Sequence, residues 1–329
     1  MRLRILEVVS TDDSRSIGLA DGHTSGVLRL ANASDEISRV GGGRGVVDFA
    51  IRNRIYLQPG AILIMWAMPP WYGSSPSWMA APSVLLAGFG IYQLNRVFDF
   101  VEDEINDPSA YARAYLARFA LRNMAMAAIL ASLLLSALFV GPAATALLTV
   151  TLLVGVLYSV PFFKRKRGEP RRIKQVIGLK NIVPSVAWPI AAVLYPGLSS
   201  PHPHMLQLFL AIALISCSVF IIEVAWDIRD SRGDRVAGIS TLVTAFGRTR
   251  ALLIPLGASS VYALSVALLV FLGHLSPLWL LPGFLPVLSA VIALLWKDSL
   301  AERRDRSHIL VLINVLALIP LGLTGRWGA

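Results

Sequence analysis

Long apolar runs recur along the chain, and short polar segments separate them. Each run is close to the roughly 20 residues that a helix needs to cross about 30 Å of hydrocarbon. Pro69 and Pro70 interrupt the first run. The pattern predicts an all-α, polytopic membrane bundle of about nine transmembrane helices. The predicted spans are 56–73, 78–94, 117–139, 143–161, 178–195, 206–226, 251–272, 277–296 and 308–325.

Composition and charge placement support a membrane protein. The 329 residues are 55% hydrophobic and 15% charged, which excludes a soluble domain of this size. The net charge of +10 is concentrated in three connections, 162–177, 227–250 and 297–307, so it follows the membrane and does not indicate a nucleic-acid partner. Because positive loops stay in the cytoplasm, we expect a multi-pass protein of a bacterial plasma membrane with its amino terminus inside and its carboxyl terminus outside.

The first 54 residues differ in composition from the rest. They are polar, carry both signs of charge and include the glycine-rich stretch GGGRG. Residues 1–54 are therefore predicted to form a flexible cytoplasmic arm, and residues 55–329 the transmembrane domain. A single cysteine, Cys217, excludes an intrachain disulfide, and no zinc-ligand spacing is present.

An acidic stretch, NRVFDFVEDEIND, follows the second apolar run directly. Asn95, Asp99, Asp103 and Asp107 are spaced four residues apart, so a continuous helix would stack them on one face. Stacked carboxylates repel each other and need a positive partner. A solvated acidic helix face is the alternative interpretation.

A second acidic helix end follows the sixth run. Glu223, Asp227, Asp230 and Asp234 again share one helical face, and the topology places this end at the same membrane surface. Two oxygen-rich clusters facing each other suit a hard cation, and Mg²⁺ typically joins one or two carboxylates to substrate phosphates. Solvated helix caps are the alternative. The candidate metal ligands are Asn95, Asp99, Asp103, Asp227, Asp230 and Asp234.

Between the two acidic ends lie candidate donors to a phosphate. Tyr158, Ser159, Lys164 and Lys180 sit at predicted span ends, where a metal-held phosphate would also need hydrogen-bond donors. For Lys180, snorkelling to the membrane interface is the alternative.

These motifs resemble those of the UbiA superfamily of intramembrane prenyltransferases. Asn95, Asp99 and Asp103 match its N-x-x-x-D-x-x-x-D element, Asp230 and Asp234 match its second element, and YSVP matches the segment between them. The resemblance covers approximately residues 50–325. It implies a helical bundle around a cavity, with Mg²⁺ and an isoprenoid diphosphate held by the acidic motifs. The catalytic residues would be Asp99, Asp103, Asp230 and Asp234, and the diphosphate would contact Asn95, Tyr158, Ser159, Lys164 and Lys180.

Three positions depart from the pattern of many family members. Arg96 stands where Asp is common, and Trp226 stands where Lys is common. The first motif continues into PSAYARAYLARF instead of an Arg-Pro turn. These departures affect phosphate and acceptor handling, so they bear on the substrate more than on the class of enzyme.

Two fates of an allylic cation define the leading functional hypotheses. In the first, a small aromatic or lipid-like acceptor captures the prenyl group, which makes the protein a prenyltransferase. In the second, the cation's own double bonds capture it, which makes the protein a terpene cyclase. A transporter is a third hypothesis, but it predicts acids near mid-span and internal repeats. Here the acids lie at span ends, apart from Glu223 about one turn deeper, and no clear repeat is present.

Overall fold

The computed structural model describes residues 58–106, 115–164, 170–198 and 203–325, which form a helical membrane bundle. The thirteen α-helices of five or more residues in this part of the chain are named here in chain order. They are α1 (Gln58–Ala67), α2 (Ala81–Phe98), α3 (Phe100–Asn106), α4 (Arg118–Phe139), α5 (Pro142–Ser159), α6 (Leu179–Pro189), α7 (Met205–Val236), α8 (Leu242–Phe246), α9 (Arg248–Phe271), α10 (Leu280–Leu295), α11 (Lys297–Glu302), α12 (Arg304–Leu316) and α13 (Leu318–Gly325).

Short non-α elements connect these helices. A π-helical turn, Ile190–Leu194, extends α6 into a last helical turn, Tyr195–Gly197. The strands β1 (Phe163–Lys164) and β2 (Pro170–Arg171) form a small antiparallel pair between α5 and α6. Three 3₁₀ turns complete the described elements: Pro69–Tyr72, Ile173–Gln175 and Pro277–Trp279.

Helices coincide with all nine predicted spans, but only six of the described segments are long and apolar enough to cross a membrane by themselves. The Pro69–Tyr72 turn shortens the first span. The second and fifth carry polar residues within the bundle, among them Gln93 on α2 and Asn181 on α6, which are fully buried. The protein is therefore an all-α, multi-pass membrane protein, and the count of nine spans is not confirmed.

The two faces of α4 illustrate how the helices pack. Leu130, Leu134 and Leu138 recur at every fourth position and are at least 60% exposed, as expected for a face in contact with lipid. On the opposite side, Ser132 and Ser136 are fully buried. Small residues on the inner faces allow close helix approach, which drives helix association in membranes.

The helix that carries the acidic stretch is interrupted at Asp99, within that stretch. α2 ends at Phe98, Asp99 has backbone angles of φ −90° and ψ 23°, and α3 begins at Phe100. The acidic stretch is therefore not one continuous helix. The predicted arm at 1–54 and Asp107 lie outside the described residues.

Candidate active site

Lys180 holds two carboxylates of the second acidic motif together. α7 is one continuous helix, so Asp227 and Asp234 project from the same face, as the spacing predicts. The Nζ atom of Lys180, on the first turn of α6, lies 3.0 Å from Asp227 and 2.6 Å from Asp234. Both aspartates are 1% exposed. A buried charge needs a partner, and this lysine supplies it for both acids.

Asn181 extends the same cluster. Its Nδ2 atom donates a hydrogen bond to Asp227 Oδ2 at 2.7 Å. Its Oδ1 atom is buried and has no hydrogen-bond partner among the described residues. A buried acceptor without a donor is unusual in folded proteins and marks a position where a cation or water fits.

Asp230 lies in the same motif but pairs with a different cation. Arg229 donates to both of its carboxylate oxygens, at 2.7 Å and 2.6 Å, in a bidentate arrangement. Arg229 also donates to Ser307 Oγ on α12 at 3.3 Å. Asp230 is thus partly neutralised by its sequence neighbour.

The first acidic motif forms a buried ion-pair cluster with the connection that precedes α6. Asn95 Nδ2 donates to Asp99 Oδ2 at 2.5 Å, which is the i to i+4 contact that the spacing predicts. Arg172 Nη1 donates to Asp99 Oδ1 at 2.8 Å, and Lys174 also bonds this oxygen. Asp99, Arg172 and Lys174 are each at most 8% exposed.

Glu102 completes this cluster. Lys174 Nζ lies 2.6 Å from its carboxylate, and Arg172 Nη2 lies 3.1 Å from it. Burial raises the pKa of Glu102, but Lys174 and Arg172 outweigh burial and hold the pKa at about 2. Glu102 therefore remains ionised throughout the neutral and weakly acidic range.

The two acids of α3 that follow Asp99 by one turn differ in burial. Glu102 is 4% exposed, whereas Asp103 is only partly buried. The Asp103 N–H bonds the carbonyl oxygen of Asp99 at 2.9 Å, so this turn is helical and both acids are neighbours of Asp99. Helix α3 presents Glu102, rather than Asp103, to Arg172 and Lys174.

Helix α3 also brings the two motifs together. Asn106, at its carboxyl end, accepts a hydrogen bond from the backbone N–H of Gly233 on α7 at 3.0 Å. Gly233 immediately precedes Asp234. A Cβ atom at Gly233 would overlap the Asn106 side chain, so glycine permits the close approach of the two acidic elements.

An elongated cavity of about 800 Å³, including the space at its mouth, lies between α2, α5 and α6. Polar groups at one end are Asn95, Tyr158 and Ser159, and Glu223 of α7 also borders the space. The remaining lining is mainly apolar: Val84, Ala87, Gly88, Ile91, Tyr92, Leu148, Thr151, Leu152, Gly155, Val183, Pro184, Ala187, Trp188 and Ala191. A cavity with a polar end and an apolar wall suits a small amphiphilic molecule.

The aromatic pair Tyr92 and Trp188 forms part of the cavity wall. Trp188 Nε1 donates to the Tyr92 hydroxyl at 3.0 Å, and the ring centroids are 5.7 Å apart. A Cβ atom at Gly88 would lie 2.8 Å from the Trp188 ring, so this ring rests directly on the backbone of α2. The pair fixes α6 against α2.

The predicted phosphate donors have different positions. The Tyr158 hydroxyl donates to the carbonyl oxygen of Lys180 at 3.2 Å and so joins α5 to the start of α6. Ser159 Oγ donates to Gly155 within its own helix at 3.0 Å, while the residue still borders the cavity. Lys164 lies in β1, and its side chain is outside the described part of the structure.

The donor chemistry fits Mg²⁺, although no three His, Cys, Asp or Glu side chains of the described segments converge enough to bind a metal without other ligands. Mg²⁺ commonly takes only one or two carboxylates and completes its shell with water and substrate phosphate. Each cluster pairs carboxylates with a carboxamide, and both carboxamides, Asn95 and Asn181, have a buried Oδ1 without a hydrogen-bond partner in the described chain. These two oxygens are available as further ligands.

Four site residues were not anticipated from the sequence. They are Glu102, Arg172, Lys174 and Asn181. For Asn181, its position next to Lys180 was a usable signal. Arg172 and Lys174 belong to a run of basic residues in which sequence alone cannot distinguish a buried cation from a solvated one.

Comparison with known proteins identifies the fold and the family. Residues 58–318 match the profile of the UbiA prenyltransferase family, and no curated protein matches the sequence. A UbiA homologue from Archaeoglobus fulgidus bound to GPP and Mg²⁺ has a TM-score of 0.61 at 16% identity, over 84% of this chain and 98% of that one. An apo UbiA homologue from Aeropyrum pernix K1 has a TM-score of 0.56 at 15% identity, over 82% and 97%.

A third similar structure is described as a digeranylgeranylglyceryl phosphate synthase. Its TM-score is 0.54 at 16% identity, over 92% of this chain and 99% of that one. At sequence identities of 15–16%, these three structural similarities establish the fold but do not identify the substrate.

Proposed function

Because the chain belongs to the UbiA prenyltransferase family, we propose that it ionises an isoprenoid diphosphate within the membrane and transfers the prenyl group to a small aromatic or lipid-like acceptor. The observation that carries this proposal is an apolar cavity whose polar end is bordered by Asn95 of the first acidic cluster and by Glu223, and where Tyr158 bonds the backbone of Lys180 in the second cluster. A substrate with a charged head and a long apolar tail matches both parts.

Mg²⁺ is the proposed cofactor. Asn95, Asp99, Asn181, Asp227, Asp230 and Asp234 would hold it, with Asp103 as a further candidate. When bound, Mg²⁺ neutralises the charge that develops on the departing diphosphate. The A. fulgidus homologue bound to GPP and Mg²⁺ supports this assignment.

The cationic side chains would assist the same step. Lys180 lies between Asp227 and Asp234, and Arg172 and Lys174 lie beside Asp99. Donors that are already held in place stabilise developing negative charge without reorganising during the reaction. Tyr158, by bonding the Lys180 carbonyl oxygen, positions the turn that carries the lysine.

The apolar cavity would protect the cation formed from the tail. Water would convert an allylic cation to an alcohol, so the space around it must stay dry. Leu148, Leu152 and Ala191 provide such a wall, and the faces of Tyr92 and Trp188 can stabilise positive charge. The positive loops favour a cytoplasmic position for this site.

Product analysis tests the proposal. The purified protein in liposomes with Mg²⁺ would be given prenyl diphosphates of ten to twenty-five carbons, with and without a panel of phenols, quinols and glycerol-based lipids. We expect diphosphate release coupled to a prenylated acceptor. Cyclic hydrocarbon without acceptor would assign the cyclase activity instead, and no diphosphate release with any combination would refute an enzyme of this class.

A further inference from the structure

The length of the cavity bears on which prenyl group fits. On α2, the lining runs from Asn95 at the polar end to Val84, and on α5 it runs from Ser159 to Leu148. Both pairs are eleven positions apart, so with a rise of 1.5 Å per residue each wall is about 16 Å long. Two independent helices thus give the same depth.

An extended isoprenoid tail can be compared with this depth. Each trans isoprene repeat has four backbone carbons joined by bonds of about 1.5 Å, so it advances about 5 Å. A depth of about 16 Å accommodates about three repeats when the diphosphate lies beside the acidic clusters.

Tyr195 lies about one helical turn beyond Ala191, next to the inner end of the cavity, and does not itself line it. It is fully buried and belongs to the same packed cluster as Val84, Leu148 and Ala191, the innermost lining residues. Its backbone N–H bonds the carbonyl oxygen of Ile190 and completes the π-helical turn at this level. Its hydroxyl has no hydrogen-bond partner among the described residues.

We propose that Tyr195 is the floor that limits the substrate to a prenyl diphosphate of about three isoprene units, which is the C15 class. This inference rests on the proposed function and adds the substrate length to it. A longer tail would overlap the ring, because a packed core yields little to added carbons. Shorter tails would enter but leave part of the apolar wall uncovered.

Equilibrium binding tests this without knowledge of the acceptor. Dissociation constants of C10, C15 and C20 prenyl diphosphates would be measured with Mg²⁺ for the native protein and three variants. In the native protein we expect C15 to bind at least about tenfold more tightly than C20. Tyr195→Ala should bring C20 to within about twofold of C15, whereas Tyr195→Phe, which keeps the ring, should match the native protein.

The third variant is designed to shorten the cavity, whereas Tyr195→Ala lengthens it. Ala191→Leu adds bulk to the innermost turn of the wall, so it should weaken C15 binding about tenfold and leave C10 within about twofold. It also decides the question if Tyr195→Ala does not fold. Equal affinity of the native protein for C15 and C20, or an unchanged length preference in Ala191→Leu, would overturn the inference. Binding of no prenyl diphosphate at all would instead refute the proposed function.

Discussion

Lys180, on the first turn of α6, supplies the positive charge that the buried carboxylates of the second motif require. Its Nζ atom contacts both Asp227 and Asp234, and the lysine side chain is only 16% exposed. Three charges at close range in a buried setting depend on each other strongly. The lysine therefore stabilises the fold in addition to its proposed role toward the diphosphate.

Lys180→Met should destabilise the protein and make its stability respond to Mg²⁺. Removing one partner of a buried ion pair typically costs about 3–5 kcal/mol, because the remaining carboxylates lose their counter-charge. Mg²⁺ can then occupy the vacated position, so Tm should fall without Mg²⁺ and rise on its addition by more than in the native protein. Thermal unfolding in detergent across a Mg²⁺ series measures both effects.

Lys297→Met is the matched control. Lys297 and its partner Asp298 are 35% and 67% exposed, so this pair contributes little. A native Tm for Lys180→Met, or the same Mg²⁺ response in both variants, would show that the lysine only anchors its helix at the interface.

At the residue level, the sequence predicted contacts that depend on a regular helix. The contact between Asn95 and Asp99, and the shared face of Asp227 and Asp234, follow from i, i+4 and i+7 spacing. Glu102 also lies at i+7 from Asn95, so the same rule places it on this face. Its partners Arg172 and Lys174 could not be anticipated, because they belong to a basic run whose fold the spacing does not determine. The catalytic roles assigned to these residues remain predictions.

The element that joins the two motifs is the short helix α3. Its Asn106 side chain receives the Gly233 N–H, and no side chain at Gly233 keeps α3 away from α7. This contact is one of those that hold α3 against α7 and so set the separation of the acidic clusters.

Gly233→Ala should lower activity more than stability. The added methyl group would displace Asn106 and shift α3, at a cost of about 1–3 kcal/mol in stability. A displacement of about 1 Å in a catalytic group can reduce turnover about a hundredfold. Turnover and Tm of the same preparation would be compared.

Gly257→Ala provides the control for a helical glycine in this protein. No atom of the described residues lies within 4 Å of a Cβ atom at Gly257 on α9, so the substitution should leave activity unchanged and raise helix stability by about 0.5–1 kcal/mol. If Gly233→Ala retained full turnover, the close approach of α3 to α7 would not be needed for function.

At the scale of the whole molecule, the lengths of the apolar runs predicted a helical membrane bundle. The depth of the cavity depends instead on how the helices pack against each other. The runs place helices correctly because each must satisfy its backbone groups internally in lipid. The distance from Asn95 to the floor at Tyr195 required knowledge of which faces of α2, α5 and α6 meet. A single apolar run does not determine which face of its helix packs against which neighbouring helix. The sequence therefore predicted the substrate class but not the length of the prenyl tail.

The central claim is that both acidic motifs together bind a prenyl diphosphate through Mg²⁺. Equilibrium binding of a radiolabelled C15 prenyl diphosphate tests it most directly, with the native protein, Asp99→Asn, Asp230→Asn and the exposed control Asp298→Asn. We expect binding to require Mg²⁺, to weaken by about tenfold to a hundredfold in either motif variant, and to stay native in Asp298→Asn. Undiminished affinity after EDTA treatment, or native affinity in both motif variants, would contradict the account.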